Sequence, residues 1–100
     1  MSVIADPEGI SAKIIQEFVN FTGKRVLEIG CGKGRITMPI SEHSSHITAI
    51  DPMVEDIQTA KQNTPGPLKE KINFIASGIE DFILPEESAR FDITLFTWSL

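Results

Sequence analysis

The run Arg25-Val26-Leu27-Glu28-Ile29-Gly30-Cys31-Gly32-Lys33-Gly34 decides how this chain is read. Its first half has the aliphatic, β-branched composition of a short strand, whereas three glycines in the next five positions extend neither a strand nor a helix without cost. A strand running into a tight turn follows. Upstream, Ile10, Ile14, Phe18 and Phe21 fall at helical spacing with Ile15 and Val19 alongside. That predicts an amphipathic helix over residues 7–20, started by Pro7 and ended by Asn20 to Lys24. Downstream, Ile36 and Ile40 stand four apart in Arg35 to Glu42, which suits a short helix whose limits Pro39 leaves open.

The same grammar then repeats. His46 to Asp51 reads as a strand, Pro52 as punctuation, and Met53, Ile57 and Ala60 line one face of a helix to about Asn63, stopped by Thr64-Pro65-Gly66-Pro67. Ile72 to Ala76 is a third strand and Phe91 to Thr97 a fourth, with an acidic loop and at most a short helix over Ser77 to Arg90. Strands alternating with helices at this pitch predict βαβ crossovers, hence the α/β class, with a parallel sheet flanked by helices in one domain over residues 1–100. Ligands of such sheets bind outside the carboxyl ends of the strands. The chemically distinctive residues collect there: Gly30 to Gly34, Asp51, Gly78 to Asp81, and Thr97-Trp98.

Composition bounds the function classes. The chain has 100 residues, 41% of them hydrophobic and 23% charged, as expected of one globular domain with a core. No apolar run is long enough for a bilayer, and the amino-terminal residues have no basic-then-apolar leader pattern, so the expectation is a cytoplasmic protein without membrane association. Nine basic residues stand against fourteen acidic ones for a net charge of −5, and no segment gathers a basic stripe. Nucleic acid is therefore not expected as a partner on charge. A single cysteine, Cys31, excludes an internal disulfide and a multi-cysteine metal site.

The turn carries the chemistry. The dinucleotide fingerprint needs its third glycine five positions after the first, and position 35 is Arg; a phosphate-cradling loop would end in Gly-Lys-Ser/Thr, which is absent. Glu28, two residues before the turn, disfavours an anion and welcomes an ammonium group through charge-assisted hydrogen bonds. Asp51 at the end of the next strand is placed to accept from both hydroxyls of a ribose. Together they imply a ligand with an amine, a ribose and no phosphate.

Val26 to Gly34 resembles the first motif of the class I, Rossmann-like S-adenosylmethionine-dependent methyltransferases, whose pattern is apolar-acidic-apolar-Gly-x-Gly-x-Gly. Ile50-Asp51-Pro52-Met53 resembles that family's ribose-binding segment, and Phe91 to Phe96 its fourth motif. The resemblance implies S-adenosylmethionine as cofactor, its amino-acid end held by Glu28 and the Gly30, Cys31, Gly32, Gly34 turn, its ribose by Asp51, and its adenine flanked by Pro52 and Met53. Gly78, Ile79 and Glu80 would complete the adenine side, although the family often has an acid where Gly78 stands, and Thr97 would sit on the rim. It further implies a seven-stranded sheet ordered 3-2-1-4-5-7-6, of which this chain supplies 3-2-1-4. The fourth strand, with apolar Ile93-Thr94-Leu95-Phe96, would then be an open edge, fit to pair with a second copy or a partner chain.

Simpler readings stand beside these. The glycines alone serve any tight strand-to-helix turn, Asp51 alone serves as a helix cap, and Cys31 has no histidine placed to activate it and reads as a small turn residue. His43 and His46 have metal-ligand spacing but no further ligands, and read as a solvated loop. No catalytic residue is assigned and the methyl acceptor is not legible. The alternative to an enzyme is a module of truncated methyltransferase fold that binds a nucleoside cofactor or a protein without turnover.

Overall fold

A computed structural model describes residues 2–4, 12–82 and 91–97, the first three as backbone only. Five strands, β1 (Ser2–Ile4), β2 (Arg25–Ile29), β3 (His46–Asp51), β4 (Ile72–Ala76) and β5 (Ile93–Phe96), form one parallel sheet in the order β1-β5-β2-β3-β4. Three α-helices, α1 (Ala12–Phe18), α2 (Thr37–Ser41) and α3 (Val54–Asn63), join them, with 3-10 turns at Gly66–Leu68 and Ile79–Asp81. The four strands expected from alternation take the expected 3-2-1-4 order.

The edge expected at the fourth strand is closed. β1 runs parallel to β5 in the register Ser2 to Thr94, Val3 to Leu95 and Ile4 to Phe96, so β1 is outermost and β5 is paired on both sides. Three residues are too short for alternation to show, which is why the sequence pattern does not reveal this strand.

β2 and β3 lie centrally, and after its first residue each is buried at every position, as a sheet covered on both faces requires. On one face Val26, Ile47, Ala49, Phe74, Ile93 and Leu95 pack with Ile15 of α1, Ile40 of α2, and Ile57 and Ala60 of α3. On the other, Leu27, Ile29 and Ile50 pack with Ile75, Phe82, Phe91 and Phe96. Phe82 therefore packs in this second cluster, in keeping with the default for an aromatic beside a strand.

Helix limits differ from the sequence expectation in understandable ways. Residues 7–11 of the first predicted helix lie outside the described residues, and α1 ends at Phe18. α2 is only five residues long and carries Pro39 at its third position, where a helix still has no intrahelical partner for the missing N–H. α3 places Glu55 and Asp56 in its first turn and Lys61 in its last, the charge order the helix dipole favours.

Candidate functional site

The turn after β2 is built from backbone that only glycine adopts freely. Gly30, Gly32 and Gly34 have φ of 85°, 55° and 86°. Gly34 is also crowded, since a Cβ there would lie 3.1 Å from the Phe74 ring and 3.2 Å from the Met38 methyl. The chain thereby doubles back close against the sheet before α2 begins.

The turn's own N–H groups are largely consumed inside the protein. Gly30 and Cys31 N–H both donate to the Ile50 carbonyl (2.8 and 3.1 Å), Gly34 N–H donates to Cys31 O (3.0 Å), and Gly32 N–H donates to Asp51 Oδ2 (2.9 Å). A phosphate cradle needs such groups aimed at the ligand. Several of its carbonyls are engaged as well, Cys31 O by Gly34 N–H, Gly34 O by Met38 N–H and Gly32 O by the Cys31 thiol.

Asp51 closes β3 and staples the turn to the next segment. Its Oδ2 accepts from Gly32 and its Oδ1 from Met53 N–H, each at 2.9 Å, and the residue is 8% exposed. A carboxylate has about four lone-pair sites, so two remain after these bonds, the number a vicinal diol fills. Beside it a slot of about 130 Å³ is lined by Ile29, Gly30, Ile50, Pro52, Ser77, Gly78, Ile79 and Glu80. That is below the ~300–1,000 Å³ of pockets that enclose a whole ligand, and suits one flat ring. Ile79 on its wall is 45% exposed, and Met53, next along the chain from the slot residue Pro52, is 56% exposed.

Glu28 does something other than the sequence suggested. It is 1% exposed; the Thr37 hydroxyl donates to its Oε1 and the Thr97 hydroxyl to its Oε2 at 2.6 Å. Thr37 comes from α2 and Thr97 from the end of β5, so one carboxyl group ties the ends of three elements together. Burial pushes its pKa up, opposed by the two hydroxyls and by Arg35, and reinforced slightly by Asp51. At 1% exposure its oxygens face the Thr37 and Thr97 hydroxyls and not solvent, so this arrangement does not present the carboxylate for direct capture of a ligand ammonium.

Cys31 likewise turns inward. Its side chain joins the helix-side core, and burial, with the nearby negative charges of Glu28 and Asp51, drives its thiol pKa well above the ordinary value. Such an environment disfavours the thiolate. Only its backbone borders the turn.

Of the sequence-assigned residues, the structure gathers Gly30, Pro52, Gly78, Ile79 and Glu80 on the slot, with Asp51 between Ile50 and Pro52 of that lining and Gly32 and Met53 hydrogen-bonded to Asp51. Gly34 shapes the turn, while Glu28, Cys31 and Thr97 lie behind it. Trp98 lies outside the described residues. Thr37, Ser77, Ile29 and Ile50 were not singled out; Thr37 carries the one visible signal, a hydroxyl opening a helix nine residues after a buried-strand acid. No group of three or more histidine, cysteine or acidic residues with metal-binding placement occurs among the described residues. No helix among them is long and apolar enough to cross a membrane.

Comparison with known proteins converges on one family. A family model described as a methyltransferase domain matches residues 26–100. The ubiquinone biosynthesis O-methyltransferase of Coxiella burnetii is 31% identical over 84 residues, which cover 84% of this chain and 35% of that protein. A crystal structure of a putative S-adenosylmethionine-dependent methyltransferase from Listeria monocytogenes superposes with a TM-score of 0.66 at 25% identity, over 78% of this chain and 35% of that one. The Haemonchus contortus phosphoethanolamine N-methyltransferase 1, solved with phosphoethanolamine and S-adenosylhomocysteine, gives a TM-score of 0.73 at 21% identity, over 87% of this chain and 18% of that one. The chain thus spans about a third of the length of the curated relatives it matches.

Proposed function

This chain belongs to the methyltransferase domain family, and on that premise we propose that it forms the S-adenosylmethionine-binding part of an enzyme that transfers a methyl group to an acceptor. The observation that carries the reading is the pairing of Asp51, with two lone-pair sites to spare, with a glycine turn whose glycine and Cys31 N–H groups are already spent. Such a site suits a ribose and an amine better than it suits a phosphate.

The donor set fits the cofactor. Asp51 accepts from the ribose hydroxyls, the slot between Pro52 and Ile79 takes the adenine, with Gly78 and Glu80 along its edge, and the Gly30 carbonyl, in the one turn residue that lines the slot, receives the amine. When bound, the cofactor supplies an activated methyl group on a sulfonium. The protein's part is to hold that group in one orientation and keep water from it, since alignment accounts for much of the acceleration in a displacement between two bound reactants. No described residue is assigned as a general base. A cytoplasmic setting belongs to the same proposal and accords with the single unpaired Cys31.

Calorimetry with S-adenosylmethionine, S-adenosylhomocysteine and NAD tests the reading. Binding of the first two and not the third is expected, with at least a tenfold loss in Asp51→Ala, equivalent to about 1.4 kcal/mol. Preference for NAD, or an Asp51→Ala variant that binds as the parent does, would overturn it.

A further inference from the structure

Glu28 is the one buried acid among the described residues that the proposed cofactor contacts leave unused. It stands two residues before Gly30, whose carbonyl oxygen lies 3.3 Å from the Thr97 hydroxyl. That same hydroxyl lies 2.6 Å from Glu28 Oε2. A threonine hydroxyl has one proton and here faces two acceptors, so it serves one of them at a time. When Glu28 is ionised, the shorter contact to the carboxylate takes the proton and the Gly30 carbonyl receives nothing from Thr97. When Oε2 is protonated, it donates to Thr97 Oγ1, and the Thr97 proton turns to the Gly30 carbonyl.

We infer that Glu28 is a positioning residue that acts on the cofactor site through Thr97, its ionised form leaving the Gly30 carbonyl free to receive the cofactor's ammonium group. This rests on the cofactor reading above. Thr37 donates to the other carboxylate oxygen, and the exchange with the Gly30 carbonyl runs through Oε2 and Thr97 alone, the hydroxyl that lies near both. The charged and titratable groups acting on Glu28 are Arg35 ahead of α2, Asp51 at the end of β3, and the Cys31 thiol within the turn. Arg35 favours ionisation, Asp51 opposes it, and Cys31, kept protonated by burial, adds no charge. Since burial raises the Glu28 pKa, the exchange falls above the ordinary carboxylate range.

Glu28→Gln mimics the protonated arrangement, its amide N–H donating to Thr97 while its oxygen accepts from Thr37. Thr97→Val removes the hydroxyl, and Thr97→Ser restores it. With the full chain, S-adenosylhomocysteine affinity should weaken as pH falls through the Glu28 titration, by up to about tenfold per pH unit. Glu28→Gln should show no such dependence and bind as weakly as the protonated parent. Thr97→Val should lose the dependence without that weakening, and Thr97→Ser should recover it. A parent and a Glu28→Gln variant with the same pH profile would overturn the inference.

A second readout needs no ligand. In carbon- and nitrogen-labelled protein, the Cys31 amide, which shares a peptide plane with the Gly30 carbonyl, should follow the Glu28 carboxyl titration and cease to follow it in Thr97→Val. A Cys31 amide indifferent to that titration in the parent would also overturn the inference. Should no cofactor bind at any pH, the cofactor reading falls, and with it the role toward the cofactor, while the amide titration still decides the proton exchange.

Discussion

The end of β2 and the end of β3 each carry an acid, on paired strands of one sheet, yet side-chain hydroxyls enclose Glu28 at 1% exposure while backbone N–H groups hold Asp51 at 8%. The partners of Asp51 are supplied by backbone that the turn chemistry already orders, Gly32 on one side and Met53 two residues on. Those of Glu28 arrive from α2 and from the far end of the chain, Thr97 being 69 residues away. An acid satisfied by local backbone keeps lone pairs for a ligand. An acid satisfied by converging side chains becomes part of the framework that the ligand meets.

The turn that separates these two acids gives the harshest test of the comparison. Gly34→Val would place a β-branched residue at φ 86° and drive its Cβ against Phe74. Left-handed backbone costs roughly 1–2 kcal/mol and overpacking roughly 1–3 more. At about 4–8 °C per kcal/mol for a domain this size, the melting temperature should fall by more than about 8 °C. A variant that melts with the parent would show that the turn is not fixed as described.

Asp51→Asn comes next. It keeps the shape but leaves a neutral oxygen for one of the two backbone N–H groups and sets an NH2 donor against the other, so urea unfolding should report a loss of about 1–2 kcal/mol. Stability unchanged within error would mean that Asp51 does not staple the turn.

The titration of Glu28 sharpens the contrast further. Because its folded pKa is raised above the ordinary value near 4.5, the native state holds the proton more tightly than the unfolded chain does. Its contribution is complete below that ordinary value and is lost as pH rises through the folded one. Urea midpoints of the parent minus those of Glu28→Gln should therefore fall over that interval. A difference that stays flat or rises would remove the burial argument.

The smallest effect belongs to His46, which opens β3. Its pKa is lowered, first by partial burial and then by Arg25, so the folded state favours the neutral ring. The stability this gives is present above the ordinary value near 6.5 and declines as pH falls through the folded one. His46→Gln should narrow the difference in melting temperature between pH 5 and pH 8 slightly, and a widened difference would reverse the sign assigned here.

Much of the frame was readable from the order of residues. Short aliphatic runs bounded by turn residues located β2 to β5, and period-3.6 patterning located α1 and α3, since central strands bury both faces and helices one stripe. Gly30, Gly32 and Gly34 announced the turn, since no other residue type adopts such backbone freely. Pairing of Ser2–Ile4 with β5 left no such trace, as three residues take their strand character from a partner some ninety positions away.

Local chemistry thus determined by itself where strands end, which turn follows, and that acids stand at two of those ends. Whether an acid faces ligand or framework was settled only by the tertiary fold. Burial and hydrogen bonding depend on which side chains arrive from distant elements, and Thr37 and Thr97 reach Glu28 only once α2 and β5 have packed on either side of β2.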